Sequence, residues 1–144
     1  MSDPCQLIAQ AQVAAVNAAV AAGQFALTFQ ASSPEDPKGE IESESLDLRV
    51  LFFPYGETEE KIGRGGQVLE IFTTSLLVSR RLDETVKQDK MLSFVRALRA
   101  SFRGVKMAGY RYVDSEIVSK FDVNKMHERN HFLSVVRFSY MGTG

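Results

Sequence analysis

Residues 131–140 read HFLSVVRFSY, and their alternation indicates a β-strand. Such a strand places Phe132, Val136, Phe138 and Tyr140 on one face, because successive side chains of a strand point to opposite sides. An apolar strand face must be buried against another layer of structure. We therefore expect a sheet that is covered on at least one side, with this segment as one of its strands.

Further stretches of the chain favour strands because they alternate or are rich in β-branched and aromatic residues. The segment Pro54-Tyr55-Gly56 is expected to end one of them, and residues 68–78 to pair back with it as a long hairpin whose tip is the charged segment 56–66. Residues 32–45 contain two prolines and no periodicity, which predicts a loop. The predicted strands are 25–30, 46–53, 68–78, 110–113, 115–121 and 131–140.

A first helix is predicted from Pro4 to Ala22. Asp3 can cap it, Pro4 suits the first helical position, where its missing N–H has no partner to lose, and Gly23 can adopt the left-handed conformation after the last turn. A shallow apolar stripe with spacings of four, three and four runs along this helix. Its members are Ala9, Val13, Val16 and Val20.

A second helix is predicted from Asp83 to Arg103, bracketed at its end by Gly104 and Gly109. It has two distinct stripes at helical spacing. The apolar stripe consists of Met91, Val95, Leu98 and Phe102, and the basic stripe of Arg96, Arg99 and Arg103. We expect the apolar stripe to face the sheet and the long basic side chains to be free to reach a partner.

The order helix, three strands, helix, two or three strands predicts an α+β fold, and residues 1–144 are expected to form one domain. Within it we expect a single mainly antiparallel β-sheet, two helices packed on it and a long projecting β-hairpin. Apolar residues make up 44% of the 144 positions and charged residues 24%, a composition that excludes collagen-like and wholly disordered proteins.

The lone cysteine, Cys5, excludes an intramolecular disulfide, so a cytosolic protein is the default expectation. No charged residue lies between Asp3 and Glu35, but this segment starts without Lys or Arg and is interrupted by glutamines. Those features argue against a signal peptide or a membrane span. We expect no membrane association.

Charge is divided unevenly along the chain. Residues 1–70 hold eleven acidic and four basic residues, a net charge of −7, whereas residues 71–144 hold seven and thirteen, a net charge of +6. Solvated loops and a solvated helix face would account for this division. Contact between the acidic region of one copy and the basic region of another would also account for it. Nucleic-acid binding by the basic helix is a third reading, weakened by the absence of interleaved aromatic residues.

Three patterns could carry chemistry. His127, Glu128 and His131 match the H-E-x-x-H motif of zinc hydrolases, in which two histidines share one helix face and the glutamate activates a bound water. The following residues alternate as a strand, and no later residue offers a third ligand. Residues 62–66 lack the ending of a phosphate-binding loop, and Cys5 is expected to be a packed thiol. We expect no catalytic residue, no metal and no cofactor.

In element order, length and style, the chain resembles the tail-terminator proteins of long-tailed, siphovirus-like bacteriophages. The segments Val68–Arg81, Met91–Phe102 and Phe132–Met141 carry this resemblance, although no short diagnostic motif is matched. Phage neck adaptor and tail-completion proteins look similar. The resemblance implies a non-enzymatic virion assembly protein, formed in the host cytoplasm and located in the tail-neck region of the virion.

The resemblance further implies a homo-oligomeric ring, a hexamer, that caps the tail tube and stops its polymerisation. Its partners would be the major tail tube protein and a head-tail connector or neck protein, with genomic DNA passing through the lumen without sequence-specific contacts. A ring needs two complementary patches on each subunit. The hypothetical interface residues are Glu57, Glu59, Glu60 and Arg64 on the acidic side, and Arg80, Arg81, Arg96, Arg99 and Arg103 on the basic side. A neck adaptor and a small zinc-dependent hydrolase remain the alternatives.

Overall fold

A computed structural model describes residues 3–25, 27, 29–33, 48–61, 68–81, 88–119 and 131–143. Within these ranges two helices accompany a five-stranded sheet whose strand order is β1-β2-β3-β5-β4. The first pair of strands is parallel and the other three pairs are antiparallel. The predicted α+β class, with one mainly antiparallel sheet, is confirmed. The elements are α1 (Pro4–Ala21), β1 (Ala31–Ser32), β2 (Arg49–Lys61), β3 (Val68–Arg81), α2 (Gln88–Phe102), β4 (Arg111–Ser119) and β5 (His131–Thr143).

Helix α1 begins and ends as its sequence predicts, to within one residue. The Asp3 side chain accepts a hydrogen bond from the Cys5 backbone N–H, and Pro4 occupies the first turn. At the other end Gly23 has a φ of 76°, a left-handed conformation that costs glycine little. Its N–H donates to the Val20 carbonyl, while that of Gln24 donates to the carbonyl of Ala19.

The predicted strand over residues 25–30 is wrong for the described residues in that range, which are not in a strand. Strand β1 starts only at Ala31, where the Asn17 side chain donates to the carbonyl and accepts from the N–H of that residue, at 3.2 and 2.8 Å. The alternating aromatic residues are explained by another contact, because Phe25 and Phe29 both pack edge-on against Phe94 of α2. The pattern therefore reflects burial against a helix and not strand pairing.

Strand β2 continues through Pro54-Tyr55-Gly56, so the predicted strand end at this segment is wrong. A register shift between Pro54 and Gly56 leaves Tyr55 without a partner in β3. On both sides of this shift β2 and β3 remain paired. Proline is tolerated here because β1 pairs with β2 only at Val50 and Leu51, which leaves Pro54 without a ladder partner on that side among the described strands. Residues 62–67 lie outside the described ranges, as do residues 34–45 of the predicted loop and residues 46–47 of the strand predicted after it, and the projection of the hairpin stays a prediction.

Strand β4 is continuous, whereas the sequence predicted two strands separated at Asp114. Two register shifts, at Tyr112/Asp114 and at Ile117/Ser119, keep β4 paired with β5 throughout. The residues that the two shifts leave without a partner are Val113 and Val118, so Asp114 itself stays paired with Ser139. Before β4, Met107 and Tyr110 exchange two backbone hydrogen bonds around Ala108 and Gly109, with φ values of 54° and 86°. Positive φ at both positions is typical of a tight type I′ turn.

One face of the sheet and both helices form the core. The predicted apolar stripe of α2 is buried, and so are the predicted strand residues Phe132, Val136, Phe138 and Tyr140 of β5. The α2 helix is described from Gln88, since residues 82–87 lie outside the described ranges, and it ends at Phe102, one residue earlier than predicted.

A polar bridge that the sequence did not predict lies inside this core. The Gln12 side chain of α1 donates to the Tyr140 hydroxyl at 3.1 Å and accepts from the Thr74 hydroxyl at 2.8 Å. All three residues are buried. Because each buried polar atom of the amide is paired with a sheet residue, the bridge fixes where α1 sits along β3 and β5.

Candidate functional site

The acidic candidates lie at one end of the β2–β3 pair. Glu57 is exposed and pairs in register with Phe72, while Glu59 pairs with Glu70 and Glu60 with Leu69. This end of the sheet carries four acidic residues and one basic residue, Lys61, a local excess of negative charge that favours cationic partners; we call Glu57, Glu59, Glu60 and Glu70 the acidic end. Arg64 lies outside the described residues.

Basic candidates occupy the opposite end of the same strands. Arg80 pairs in register with Phe132, Arg81 with His131, and Arg49 of β2 with Ser79. Ten residue steps separate Glu70 from Arg80, which corresponds to about 33 Å along an extended strand. We call Arg49, Arg80 and Arg81 the basic end. The unequal distribution of charge in the sequence is thus also a separation of charge along the sheet.

The three predicted arginines of α2 do not share one role. Arg96 and Arg103 are exposed. Arg99 is half-buried, and its Nε and Nη2 donate to the Ser115 hydroxyl and carbonyl of β4 at 2.8 and 2.6 Å. The Tyr112 hydroxyl also donates to the Ser115 hydroxyl oxygen, at 3.0 Å. Arg99 therefore holds α2 on β4, and the expectation that all three side chains are free to reach a partner is wrong for this one.

Cys5 is buried, as predicted, and its Sγ lies 3.3 Å from the Gly56 carbonyl oxygen, to which it donates a hydrogen bond. Burial, with a smaller contribution from the nearby Asp3 carboxylate, raises the pKa of this thiol from 9.0 to about 11. A thiol that stays protonated is a poor nucleophile. This environment argues for a packing role.

We expect the raised pKa of Cys5 to make the fold sensitive to alkali. The folded chain keeps a proton that the unfolded chain releases, so the stabilisation is complete below about pH 9 and is lost as pH rises through 9 to about 11. Urea unfolding at a series of pH values measures this loss. In Cys5→Ala the loss should be smaller but not absent, since burial also raises the pKa of Tyr140. An unchanged alkaline slope in Cys5→Ala would contradict the assignment.

A cleft that the sequence analysis did not predict lies on the sheet face opposite the helices. It has a volume of about 310 Å³ and is polar. Within it, the guanidinium carbon of Arg137 lies 3.8 Å from the centre of the Tyr55 ring. Only the pairing of strands β2, β3, β5 and β4 brings these residues together. The lining residues are Tyr55, Thr73, Asp114, Glu116, Arg137 and Ser139.

The zinc-motif residues fall mainly outside the part of the chain that the structure describes, which resumes at His131. That residue begins β5 and pairs in register with Arg81. Among the described residues, no group of three or more His, Cys, Asp or Glu side chains is arranged to hold a metal ion. Over the same ranges, no helix has the length and apolar character needed to cross a membrane.

Comparison with known proteins gives no family assignment. No family model matches the chain, and no curated protein matches it in sequence.

Proposed function

We propose that this chain is a structural assembly protein of the tail-terminator type. Copies of it join into a ring, a hexamer, that caps a phage tail tube, stops its polymerisation and offers a surface for joining the head. The resemblance of the sequence to tail terminators supports this proposal, and the distribution of charge on the sheet carries it.

The acidic and basic ends lie far apart within one copy. About 26 Å of strand separates Arg49 from Glu57 and about 33 Å separates Glu70 from Arg80, whereas charges in physiological salt are screened over roughly 8 Å. Opposite charges on different ends of one subunit favour head-to-tail contacts, which are the contacts that close into rings. The charge distribution thus suits self-assembly by a repeated, non-symmetric interface.

In this role the ring contacts the major tail tube protein on one side and a head-tail connector or neck protein on the other. Genomic DNA passes through its lumen without sequence-specific contacts. The protein acts in the tail-neck region of the virion, after assembly in the host cytoplasm, and performs no catalysis.

Sedimentation velocity at increasing salt tests the ring. We expect assemblies at about 0.1 M salt that dissociate towards about 1 M, because the screening length falls from about 10 to about 3 Å. Glu57→Gln should weaken the assembly. Gln10→Lys is the matched control, since it adds the same unit of positive charge at an exposed position of α1. A strict monomer at high concentration, or an assembly indifferent to salt, would overturn the proposal.

Tail length distinguishes a terminator from a neck adaptor. Deleting the gene of a terminator should leave overlong or headless tails, whereas loss of an adaptor should leave tails of normal length and capsids that are not joined to them. Electron microscopy of lysates measures both. Adding the purified protein to polymerising tail tubes should restore the normal length if it is a terminator.

A further inference from the structure

The cleft on the sheet face opposite the helices has a net negative lining. Asp114 and Glu116 contribute two carboxylates and Arg137 one guanidinium, which leaves a charge of −1. Thr73 and Ser139 add two hydroxyl groups, with their oxygens 3.5 Å apart. At about 310 Å³ the cleft exceeds the roughly 30 Å³ that one water occupies in the liquid. It has room for a side chain of a partner, and its charge favours a cation.

Arg137 offsets only one of the two negative charges in the cleft. It lies directly opposite Glu116 in the β4–β5 ladder, where an ion pair would be expected. Instead its guanidinium stacks on Tyr55, two strands away, and its buried Nε has no hydrogen-bond partner. Asp114 and Glu116 are exposed, and neither is joined to Arg137 by an ion pair in the described structure. Because Arg137 stacks on Tyr55, neither carboxylate has an ion-pair partner among the residues that the structure describes, and both are exposed to an external partner.

The opposite side of the same strand carries the basic helix. Ser115 points to the core face, where it holds Arg99 of α2, while its neighbours Asp114 and Glu116 point to the face opposite the helices. Arg96 of α2 and Arg103, the residue after this helix, flank Arg99 and are exposed. The sheet therefore separates two exposed arginines from two exposed carboxylates, so they are placed to meet on different copies.

We propose that the cleft of one copy receives Arg96 of helix α2 and Arg103, the residue that follows this helix, from the next copy. This inference rests on the proposed ring and names a second interface for it, apart from the acidic and basic ends. Six helical steps from Arg96 to Phe102 and one further step to Arg103 place the arginine backbones about 10 Å apart, and two strand residues place the carboxylates about 7 Å apart. Long arginine side chains span that difference, and their planar guanidinium groups match carboxylates through paired hydrogen bonds.

Charge reversal on each surface tests the pairing. The cleft variant is Asp114→Lys/Glu116→Lys and the helix variant is Arg96→Glu/Arg103→Glu. Each alone should weaken self-association at least about a hundredfold at low salt, because like charges then face one another. An equimolar mixture of the two should assemble again, since each reversed surface then meets a complementary one. Sedimentation velocity measures all three samples.

Two further variants make the test specific. Lys90→Glu/Lys106→Glu is the matched control for the helix variant, with the same charge change at two other exposed basic residues, and it should leave assembly unchanged. The neutral variant Asp114→Asn/Glu116→Gln should weaken association even if the reversed variants fold poorly. If the cleft variants formed rings as readily as the wild type, this inference would be overturned, while the proposal of a ring would stand. A wild-type chain that never assembles would overturn both.

Discussion

Replacing Phe102 with alanine is expected to lower the free energy of unfolding by about 3–5 kcal/mol. Phe102 is 2% exposed, and its ring packs edge-on against Phe52 of β2 at 5.7 Å and Phe138 of β5 at 5.2 Å between centroids. It therefore ties the end of α2 to two strands of the sheet. Truncation removes the buried ring and leaves a cavity that the surrounding side chains fill only in part.

Urea unfolding followed by circular dichroism measures this loss, with an unchanged slope showing that the unfolded state is the same. The control is Val105→Ala, which truncates a side chain that is 42% exposed just after the same helix and should change stability by less than about 0.5 kcal/mol. A loss below about 1 kcal/mol in Phe102→Ala would show that this ring does not hold the two layers together.

The second large effect is expected from the polar bridge in the core. Gln12→Leu removes the partner of two buried hydroxyls, those of Thr74 and Tyr140, and should destabilise the fold by about 2–4 kcal/mol. The triple variant Gln12→Leu/Thr74→Val/Tyr140→Phe should recover most of this loss. An unpaired buried polar group is costly, whereas replacement of all partners by apolar groups of similar shape is nearly neutral.

The same unfolding experiment compares the single and triple variants. Gln10→Leu serves as the control, since Gln10 is exposed on the same helix and makes no contact with the core network. If the triple variant were less stable than Gln12→Leu, the hydrogen bonds of the bridge would themselves add stability, beyond avoiding the cost of unpaired buried polar groups. A single variant as stable as the wild type would contradict the bridge altogether.

The fold was predictable where local patterns and burial agree. The 3.6-residue spacing of Met91, Val95, Leu98 and Phe102 predicted the buried face of α2, and period-two alternation predicted the buried face of β5. The strand predicted over residues 25–30 was wrong because an alternating aromatic pattern also suits packing against a helix. The strand end predicted at Pro54 was wrong because proline ends a strand only where its missing N–H would have paired with a neighbouring strand. No local pattern in the sequence shows whether such a neighbour exists.

The candidate interface was predictable only in part. Charge counting pointed to Glu57 and to the arginines of α2, but it could not separate Arg99, which binds Ser115, from the exposed Arg96. The cleft around Arg137 has no sequence signature, because its lining residues are far apart in the chain and each is an ordinary strand residue.

By itself, the sequence determined the types of both helices and of most strands, their apolar faces and the division of charge, since these depend on side-chain period and composition within short stretches. Only the tertiary structure decided which strands lie side by side, and hence that Gln12 meets Tyr140, that Arg137 stacks on Tyr55 and that Asp114 and Glu116 line one cleft with it. Those contacts join residues distant in sequence. Strand order and register decide them, and both are set by the packing of the whole core.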